Sequence, residues 1–486
     1  MRLDELACYR AISSRDRRFE GRFVVAVTST GVYCRPGCPA PIPKRENTRF
    51  YVSPSAAQAA GFRACLRCRP DAQPANGPIL GTGATIRRAL RLIEEGALDE
   101  NSIGELAGRL GVGDRHLRRL FQKHVGASPL SLARSRRSHF ARKLIEETEL
   151  SLADVALSSG FGSIRSFNAA MRETFRVAPN EFRRRIELAG EPTALRLRLP
   201  FKPPLNWPAT ISFLRPRIVP GVELIEGDRY RRTISVGAWT GSLEVRPAAD
   251  ESCLWLELPA APPAALMPIV ARISRMFDLG ADVGRIEQHL AGDDELAPLI
   301  RKRPGLRVPG SWDPFELGVR AILGQQVSVA AATTLAARLV ESLGTALQTK
   351  YAGLRAIFPS PAAVASSDLS GLGIPAKRAE AICCFAAAVR DQSIPLDGTR
   401  PPSEVTQALN ELPGIGSWTA EYIALRGLHE PDAFPASDLA IRRWLSRERP
   451  MGNVEILRRA EAWRPWRAYA TIHLWMDGHE TENGRD

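Results

Sequence analysis

Four of the eight cysteines form the pattern with the clearest chemical meaning in this sequence. The loop "VYCRPGCPA" holds two of them with three residues between, and "CLRC" supplies a second pair twenty-seven positions later. Short-spaced pairs of this kind in an intracellular chain indicate tetrahedral zinc rather than disulfides. Spacing alone leaves two roles open, a structural zinc knuckle or a thiolate made reactive by the metal. The four predicted ligands are Cys34, Cys38, Cys65 and Cys68.

The sequence around these cysteines favours the second role. "ISSRDRRFEGRFVVAVTSTGVYCRPGCPAPIPKRENTRFY" and "AAGFRACLRCRP" resemble the zinc domain of the Ada methylphosphotriester methyltransferases over nearly all of residues 5–70. The resemblance implies one Zn²⁺ and a methyl transfer from a DNA phosphotriester to Cys34. A zinc-bound sulfur is a thiolate, the form that attacks carbon. Methylation would reduce the negative charge of the centre and so relieve a repulsion of roughly 1–4 kcal/mol per close DNA phosphate. We expect one turnover per molecule.

A helix-turn-helix pattern occurs twice in the next hundred residues. Ala107 lies four positions before Gly111, and Ala156 lies four before Gly160. The small residue allows close helix packing and the glycine allows a tight turn. Fifty positions separate three further matching pairs, which are Leu117 and Phe167, Phe121 and Met171, and Pro129 and Pro179.

Residues 85–186 resemble an AraC-type DNA-binding domain. The resemblance implies that the second helix of each unit, about 114–123 and 164–173, enters the major groove. A solvated helix face is the alternative for each candidate contact. The candidates are Arg115, His116, Arg118, Arg119, Arg165, Ser166 and Asn168.

The segment "LNELPGIGSWTAEYIALRG" predicts a helix-hairpin-helix further along the chain. Its glycines, Gly414 and Gly416, would let backbone N–H groups at the start of the second helix point at a DNA phosphate. Asp438 follows twenty residues after Trp418, just before "LAIRRW". On position alone Asp438 could simply cap that helix.

Several segments in fixed order resemble the AlkA-type 3-methyladenine DNA glycosylases over about 197–477. They are "PFELGVRAILGQQVSVAAA", "GLGIPAKRAEAI", the hairpin, Asp438 and "WRPWRAYATIHLW". The resemblance implies that Asp438 is the essential catalytic residue and that Trp418, Tyr422 and Trp475 line the pocket for a flipped base. An ionised carboxylate could stabilise an oxocarbenium-like sugar and guide water. Plain core packing is the alternative for each aromatic side chain.

Two positions bear on how this chain differs from related glycosylases. Relatives able to cleave the strand carry lysine where this chain has Trp418, so a Schiff base is not expected. Gln325 and Gln326 in "GQQVS" are expected to contact DNA, with Gln326 at a position where some relatives insert an apolar wedge beside the flipped base. Leu439 is a tyrosine in some relatives, so base selectivity is expected to differ.

Composition supports a nucleic-acid partner. Residues 1–190 hold 32 Lys+Arg against 19 Asp+Glu, whereas residues 191–486 hold 34 of each, so the net charge of +13 belongs to the first part. Such a basic region suggests a polyanion partner, although a merely soluble basic surface would have the same composition. The sequence shows neither a signal peptide nor an apolar run of about 20 residues, so we expect a cytoplasmic protein with no membrane partner.

These patterns predict a multidomain α+β protein. The expected domains are a small zinc domain (1–76), an all-α double helix-turn-helix domain (77–190), a small antiparallel sheet domain (191–283) and an α-helical helix-hairpin-helix glycosylase domain (284–486). In the sheet domain we expect three or four strands that turn at Gly227-Asp228 and near Thr240-Gly241. The stretch "PDAQPANGPILGTGA" is expected to be a linker.

The predicted function is a response to DNA alkylation. It combines methyl transfer to the zinc centre, coupled to transcription, with hydrolytic removal of alkylated purines by a monofunctional glycosylase. The expected partners are double-stranded DNA and, for the regulatory role, RNA polymerase. We expect the protein to be a monomer. The alternative is a transcription regulator whose glycosylase-like half only binds DNA.

Overall fold

The computed structural model describes residues 4–16, 19–65, 67–68, 70, 84–99, 101–183, 195–248, 252–259, 261–447 and 449–483. The chain divides into two compact units, Met1–Pro200 with Ala261–Ala271 and Phe201–Ala260 with Arg272–Asp486. The predicted linker lies outside the described residues apart from its two end residues, Pro70 and Ala84, and so do the predicted boundaries near 76 and 190. The four domain ranges therefore remain predictions.

A small sheet carries the cysteines of the first unit. Its elements are α1 (Glu5–Ser13), β1 (Val24–Val27), β2 (Val32–Cys34), β3 (Thr48–Tyr51), α2 (Pro54–Ala59) and β4 (Arg63–Ala64). The strand order is β3-β1-β2-β4, with only the β2–β4 pair parallel. Neighbouring residues of a strand face opposite sides. Accordingly Tyr33 packs with Ala57 and Ala64, whereas Cys34 joins the other three cysteines.

The rest of the first unit is mostly helical. Its elements are α3 (Ala84–Glu94), α4 (Ile103–Arg109), α5 (Asp114–His124), α6 (Pro129–Glu147), α7 (Leu152–Ser158), α8 (Ile164–Phe175), α9 (Pro179–Arg183) and the strand β5 (Leu195–Pro200). A serine side chain caps the N-terminus of α4, α6, α7 and α8. Gly111 and Gly160 take φ values of +70° and +76° at the two tight turns. The predicted pair of helix-turn-helix units is confirmed.

Helix α2 of the small sheet packs on the long helix α6. Ser135 Oγ donates to Gln58 Oε1 at 2.5 Å, and Gln58 Nε2 donates to the Tyr33 hydroxyl at 3.0 Å while lying 2.9 Å from His139 Nε2. Gly126 also meets α2, because a Cβ there would lie 2.9 Å from the Cβ of Ala56. The cysteine-bearing sheet and the helix-turn-helix units are thus joined by specific polar contacts.

The second unit contains a four-stranded antiparallel meander. Its strands are β6 (Glu223–Glu226), β7 (Arg229–Val236), β8 (Trp239–Pro247) and β9 (Cys253–Leu258). The first turn is at Gly227-Asp228, as predicted. The second prediction is wrong, because the chain turns at Gly237-Ala238. Thr240 and Gly241 already belong to β8, where they pair with residues of β7. Gly237 supplies the positive φ of +59°, and Gly241 instead makes room for the Trp239 ring, since a Cβ there would lie 2.3 Å from it.

Helices complete the second unit. They are α10 (Trp207–Leu214), the C-terminal part of α11 (Leu266–Met276), α12 (Val283–Leu290), α13 (Leu296–Lys302), α14 (Pro314–Leu323), α15 (Val329–Leu343), α16 (Pro361–Ala365), α17 (Ala376–Arg390), α18 (Pro402–Asn410), α19 (Ser417–Arg426), α20 (Leu439–Leu445), α21 (Asn453–Ala460) and α22 (Arg467–Asn483), with the short strands β10 (Thr345–Ala346) and β11 (Ala356–Ile357). The rings of Phe315 and Phe385 stack at 5.6 Å in the core between α14 and α17. Gly318 permits this approach, because a Cβ there would lie 2.4 Å from Phe385. This core supports the hairpin between α18 and α19.

None of the helices in the described parts of the chain combines the length and the apolar character needed to cross a bilayer.

Candidate functional site

The structure brings the four predicted zinc ligands together. Their sulfur atoms all lie within 4.8 Å of one another, and each side chain is at most 8% exposed. Cys34 ends β2 and Cys38 follows in the adjoining turn, whose backbone N–H at Ala40 points at Cys38 Sγ from 3.5 Å. Two sequence segments thus converge on one compact cluster of thiols.

The electrostatics of this cluster call for a cation. Hydrogen bonds to Cys68, chiefly from the Cys34 thiol and also from the backbone N–H of Arg35 and the other two thiols, outweigh burial and lower its pKa to about 6. Cys34 donates its hydrogen bond to Cys68. That bond, burial and the negative charge of Cys68 raise the pKa of Cys34 well above its usual range. Ionisation of one sulfur thus disfavours ionisation of the next, unless a positive ion balances their charges. Four crowded sulfurs of this kind fit the tetrahedral Zn²⁺ site that the sequence predicts.

The predicted DNA contacts on α5 are exposed, but three of them already have partners within the helix. Arg118 Nε donates to Asp114 Oδ1 at 2.8 Å, and Arg119 Nη2 lies 3.0 Å from His116 Nδ1. Arg115 also lies on the exposed side of α5. Pairs of this kind between exposed side chains contribute little to stability, so the arginines can exchange them for phosphates.

The corresponding residues of α8 differ in exposure. Arg165 is exposed and Asn168 is half-buried. Ser166 takes part in the helix cap, because its backbone N–H donates to Ser163 Oγ and its hydroxyl to Ser163 O. Both helices therefore expose polar side chains near their N-termini, where helix-turn-helix proteins reach base edges.

In the second unit Asp438 serves as the N-cap of α20. Its Oδ1 accepts from the backbone N–H groups of Ala440 at 3.0 Å and Ile441 at 3.1 Å. The simple capping interpretation is therefore correct as far as it goes. Two tryptophans also donate to the same carboxylate, Trp418 Nε1 to Oδ2 at 2.8 Å and Trp475 Nε1 to Oδ1 at 3.0 Å.

The three predicted pocket aromatics form one continuous row with a fourth residue. Trp418 stacks on Tyr422 with ring centroids 5.2 Å apart, and Tyr422 lies 5.8 Å from Trp475. Trp475 in turn stacks on Phe213 at 6.3 Å and 14°. The sequence analysis missed Phe213, since an apolar residue inside the apolar helix α10 looks like any core residue.

Two arginines, also missed, flank this row. Arg217 Cζ lies 4.0 Å from the centroid of Phe213, and Arg426 Cζ lies 5.0 Å from Phe213 and 5.4 Å from Tyr422. Burial alone would raise the pKa of the Tyr422 phenol, but the charges of Arg426 and Arg217 outweigh burial and hold that pKa below its usual range. Arg426 follows Tyr422 by four positions on α19, a helical spacing that could have revealed it. The row is therefore electron-rich on its faces and bounded by cations at one end.

The helix-hairpin-helix lies beside Gln325 and Gln326. Gln325 Nε2 donates to Gly414 O and to Thr419 Oγ1, both at 2.9 Å, so this side chain ties the end of α14 to the hairpin. Gln326 is exposed and takes a φ of +56°, which non-glycine residues rarely adopt. Gly416 caps α19 without any side-chain hydrogen bond, which leaves the first N–H groups of α19 accessible to an anion.

Four family models match the chain. "Metal binding domain of Ada" matches residues 7–71, "Helix-turn-helix domain" residues 106–185, "AlkA N-terminal domain" residues 196–313 and "HhH-GPD superfamily base excision DNA repair protein" residues 319–468. Together with the observed elements they establish a multidomain α+β protein with the four kinds of domain that the sequence predicts.

Individual relatives agree with this composition. A "Probable bifunctional transcriptional activator/DNA repair enzyme AlkA" from Mycobacterium tuberculosis is 42% identical over 476 residues, which are 96% of this chain and 95% of the relative. "DNA-3-methyladenine glycosylase 2" from Escherichia coli is 38% identical over 57% of this chain and 95% of its own length. The solved structure of a 3-methyladenine DNA-glycosylase from Archaeoglobus fulgidus shares the fold, with a TM-score of 0.51 and 22% identity over 58% of this chain and 98% of its own.

Proposed function

The chain belongs to the family of bifunctional transcriptional activator/DNA repair AlkA enzymes, and from this premise we propose that it carries out two reactions on alkylated DNA. The second unit acts as a DNA-3-methyladenine glycosylase. The first unit accepts methyl groups from DNA phosphotriesters and uses its helix-turn-helix units to regulate transcription. As an activator it would contact RNA polymerase at a promoter, and we propose that it acts as a monomer.

One observation carries the glycosylase proposal. A buried carboxylate, Asp438, lies beside an aromatic row and accepts hydrogen bonds from two of its members. Stacking on electron-rich rings favours an alkylated, cationic purine by about 0.5–2 kcal/mol per ring. The N-terminus of α19, which has no side-chain cap, would hold the DNA backbone beside the lesion.

The reaction needs little acid catalysis, because a cationic purine is already a good leaving group. The C1′–N bond breaks and its electron pair stays on the purine, which leaves positive charge on the sugar. The Asp438 carboxylate stabilises that charge and orients a water molecule, whose oxygen then bonds to C1′ and whose proton passes to the carboxylate or to solvent. The chain has tryptophan where a lyase needs lysine, so the strand stays intact.

The Asp438 role is tested by comparing purine release from methylated duplex DNA by the wild type and by Asp438→Asn. We expect the variant to lose at least a hundredfold in single-turnover rate while it still binds DNA. Asp391→Asn is the matched control, since Asp391 is an exposed carboxylate of the same unit that pairs with Arg390. Equal release by wild type and Asp438→Asn would instead support the rival view that this half is only a DNA-binding platform.

The methyl-acceptor proposal rests on the buried four-cysteine cluster. When bound, Zn²⁺ would hold the sulfurs as thiolates and so supply a nucleophile at neutral pH. The sulfur of Cys34 would form a bond to the methyl carbon as the carbon–oxygen bond breaks. The electron pair remains on the phosphate oxygen, so a phosphodiester and a thioether are the products. The sulfur centre loses one negative charge, and its repulsion of DNA decreases.

Mass spectrometry of the zinc-loaded protein after incubation with methylated DNA tests this step. We expect one added methyl group on the peptide that contains Cys34 and none on the peptide that contains Cys253, a buried cysteine outside the cluster. An unmodified Cys34 in protein that retains zinc would show that the metal is purely structural.

A further inference from the structure

The Asp438 carboxylate accepts more hydrogen bonds than helix capping requires. Oδ1 accepts the two backbone N–H bonds of the cap and a third from Trp475, whereas Oδ2 accepts from Trp418. A carboxylate oxygen offers about two lone-pair sites. Oδ1 is therefore saturated, and among the described residues Oδ2 has a single donor and keeps one site for another partner.

We propose that Trp418 and Trp475 are positioning residues that hold the Asp438 carboxylate through their indole N–H groups. This role is additional to any stacking on a flipped base. The same geometry assigns Oδ2 as the oxygen that meets the sugar or the attacking water. The inference rests on the proposed glycosylase function and adds two residues that act through Asp438.

The two indoles restrain the Asp438 carboxylate more completely than the helix cap does. The backbone N–H groups of α20 restrain Oδ1 only, so the position of Oδ2, and with it the orientation of the carboxylate plane, depends on further donors. Donors on both oxygens, from α19 on one side and α22 on the other, fix that plane. Bonds to an ionised acceptor are about twice as strong as neutral ones, and the site is buried from competing water. Catalytic groups need such a second layer to keep their geometry within about 0.5 Å.

Phenylalanine substitution separates this role from stacking, because phenylalanine keeps an aromatic face but has no N–H. For Trp418→Phe and for Trp475→Phe we expect the single-turnover rate of purine release to fall by at least tenfold. Affinity for a duplex whose methylated nucleotide carries fluorine at C2′, which prevents cleavage but keeps the base, should change less than twofold.

Trp444→Phe is the matched control, since Trp444 Nε1 also donates to a carboxylate, that of Asp477, at 3.3 Å. Trp444 lies on α20, and we expect its variant to release purine at the wild-type rate. Thermal unfolding of all variants shows whether they fold. For one that does not, benzothienylalanine at the same position replaces the indole N–H by sulfur with little change of shape, and the same tenfold loss is expected.

The outcomes separate this inference from the proposed function. If Asp438→Asn is inactive but both phenylalanine variants match Trp444→Phe, the positioning role is wrong and the glycosylase assignment stands. If losses of rate are matched by equal losses of affinity for the C2′-fluorinated duplex, the tryptophans act as stacking surfaces only. If Asp438→Asn is fully active, the catalytic assignment itself fails.

Discussion

The cysteine cluster and the Asp438 site are equally buried, yet they solve the problem of a buried anion in opposite ways. Cys34 is 8% exposed and Asp438 is 9% exposed. The charge of the cysteine cluster would come from several sulfurs that repel one another, and the backbone donors to it in the described part of the chain are the N–H groups of Arg35 and Ala40. Asp438 is a single anion that receives four N–H donors from the chain itself.

This difference determines what each site depends on. A cluster of thiolates is stable only with a bound metal ion, so folding of the cluster and binding of the metal are coupled. A carboxylate that is held by protein donors depends on helix packing, because those donors come from α19, α20 and α22. Metal removal should therefore disrupt the first site, and changes in packing should disrupt the second.

Removal of the metal should have the largest effect on either site. Chelation, or Cys65→Ser in the cluster, should abolish cooperative unfolding of the small sheet, since structural zinc typically contributes on the order of 10 kcal/mol. Purine release by the second unit should persist within about twofold, because its donors belong to the chain. Circular dichroism and a base-release assay on the same samples measure both effects. A parallel loss of purine release would contradict the independence of the two sites.

Truncation of the aromatic row tests the dependence of Asp438 on packing. Phe213→Ala should lower the free energy of unfolding by about 3–5 kcal/mol, because Phe213 is fully buried against Trp475. It should also weaken binding to the C2′-fluorinated duplex. Phe315→Ala, equally buried in the core between α14 and α17, should cost similar stability and leave that binding unchanged. Denaturant titration and fluorescence anisotropy give the two quantities.

Acid should weaken the helix that carries Trp475. Burial and the charge of Arg303 lower the pKa of His473 on α22 to about 4, so the folded chain keeps this histidine neutral. The unfolded chain binds a proton below about pH 6.5, hence stability is lost as pH falls from about 6.5 toward 4, on the order of 2 kcal/mol in total. His473→Gln should show a flatter pH profile of unfolding. An equally steep profile in the variant would exclude His473 as the cause.

The smallest expected effect concerns how the cysteine-bearing sheet is held. Gln58→Leu removes the polar bridge from Tyr33 to α6 and leaves the Ser135 hydroxyl without its acceptor. We expect a loss of about 1–2 kcal/mol in the zinc-loaded protein, with zinc content unchanged. Gln122→Leu on the exposed face of α5 is the control and should change stability by less than about 0.5 kcal/mol.

Sequence spacing predicted those features that depend on neighbours along the chain. The two cysteine pairs, the repeated alanine and glycine of the helix-turn-helix units and the glycines of the hairpin all lie within a few residues of the partners that define them. The structure confirms that the cysteines meet and that both helix-turn-helix units and the hairpin form. The turn near Thr240-Gly241 shows the limit, since glycine occurs both where a chain turns and where a tryptophan ring needs room.

The sequence by itself determined which chemical groups the protein has, a set of thiols spaced for a metal and an aspartate placed to cap a helix. Only the tertiary structure decided what surrounds them. It put Phe213 and Trp475 in contact and aimed two indole N–H groups at Asp438 from α19 and α22. The physical reason is range: spacing within a loop or a helical turn constrains local geometry, but contacts between residues tens or hundreds of positions apart follow from the packing of helices whose apolar surfaces look alike in sequence.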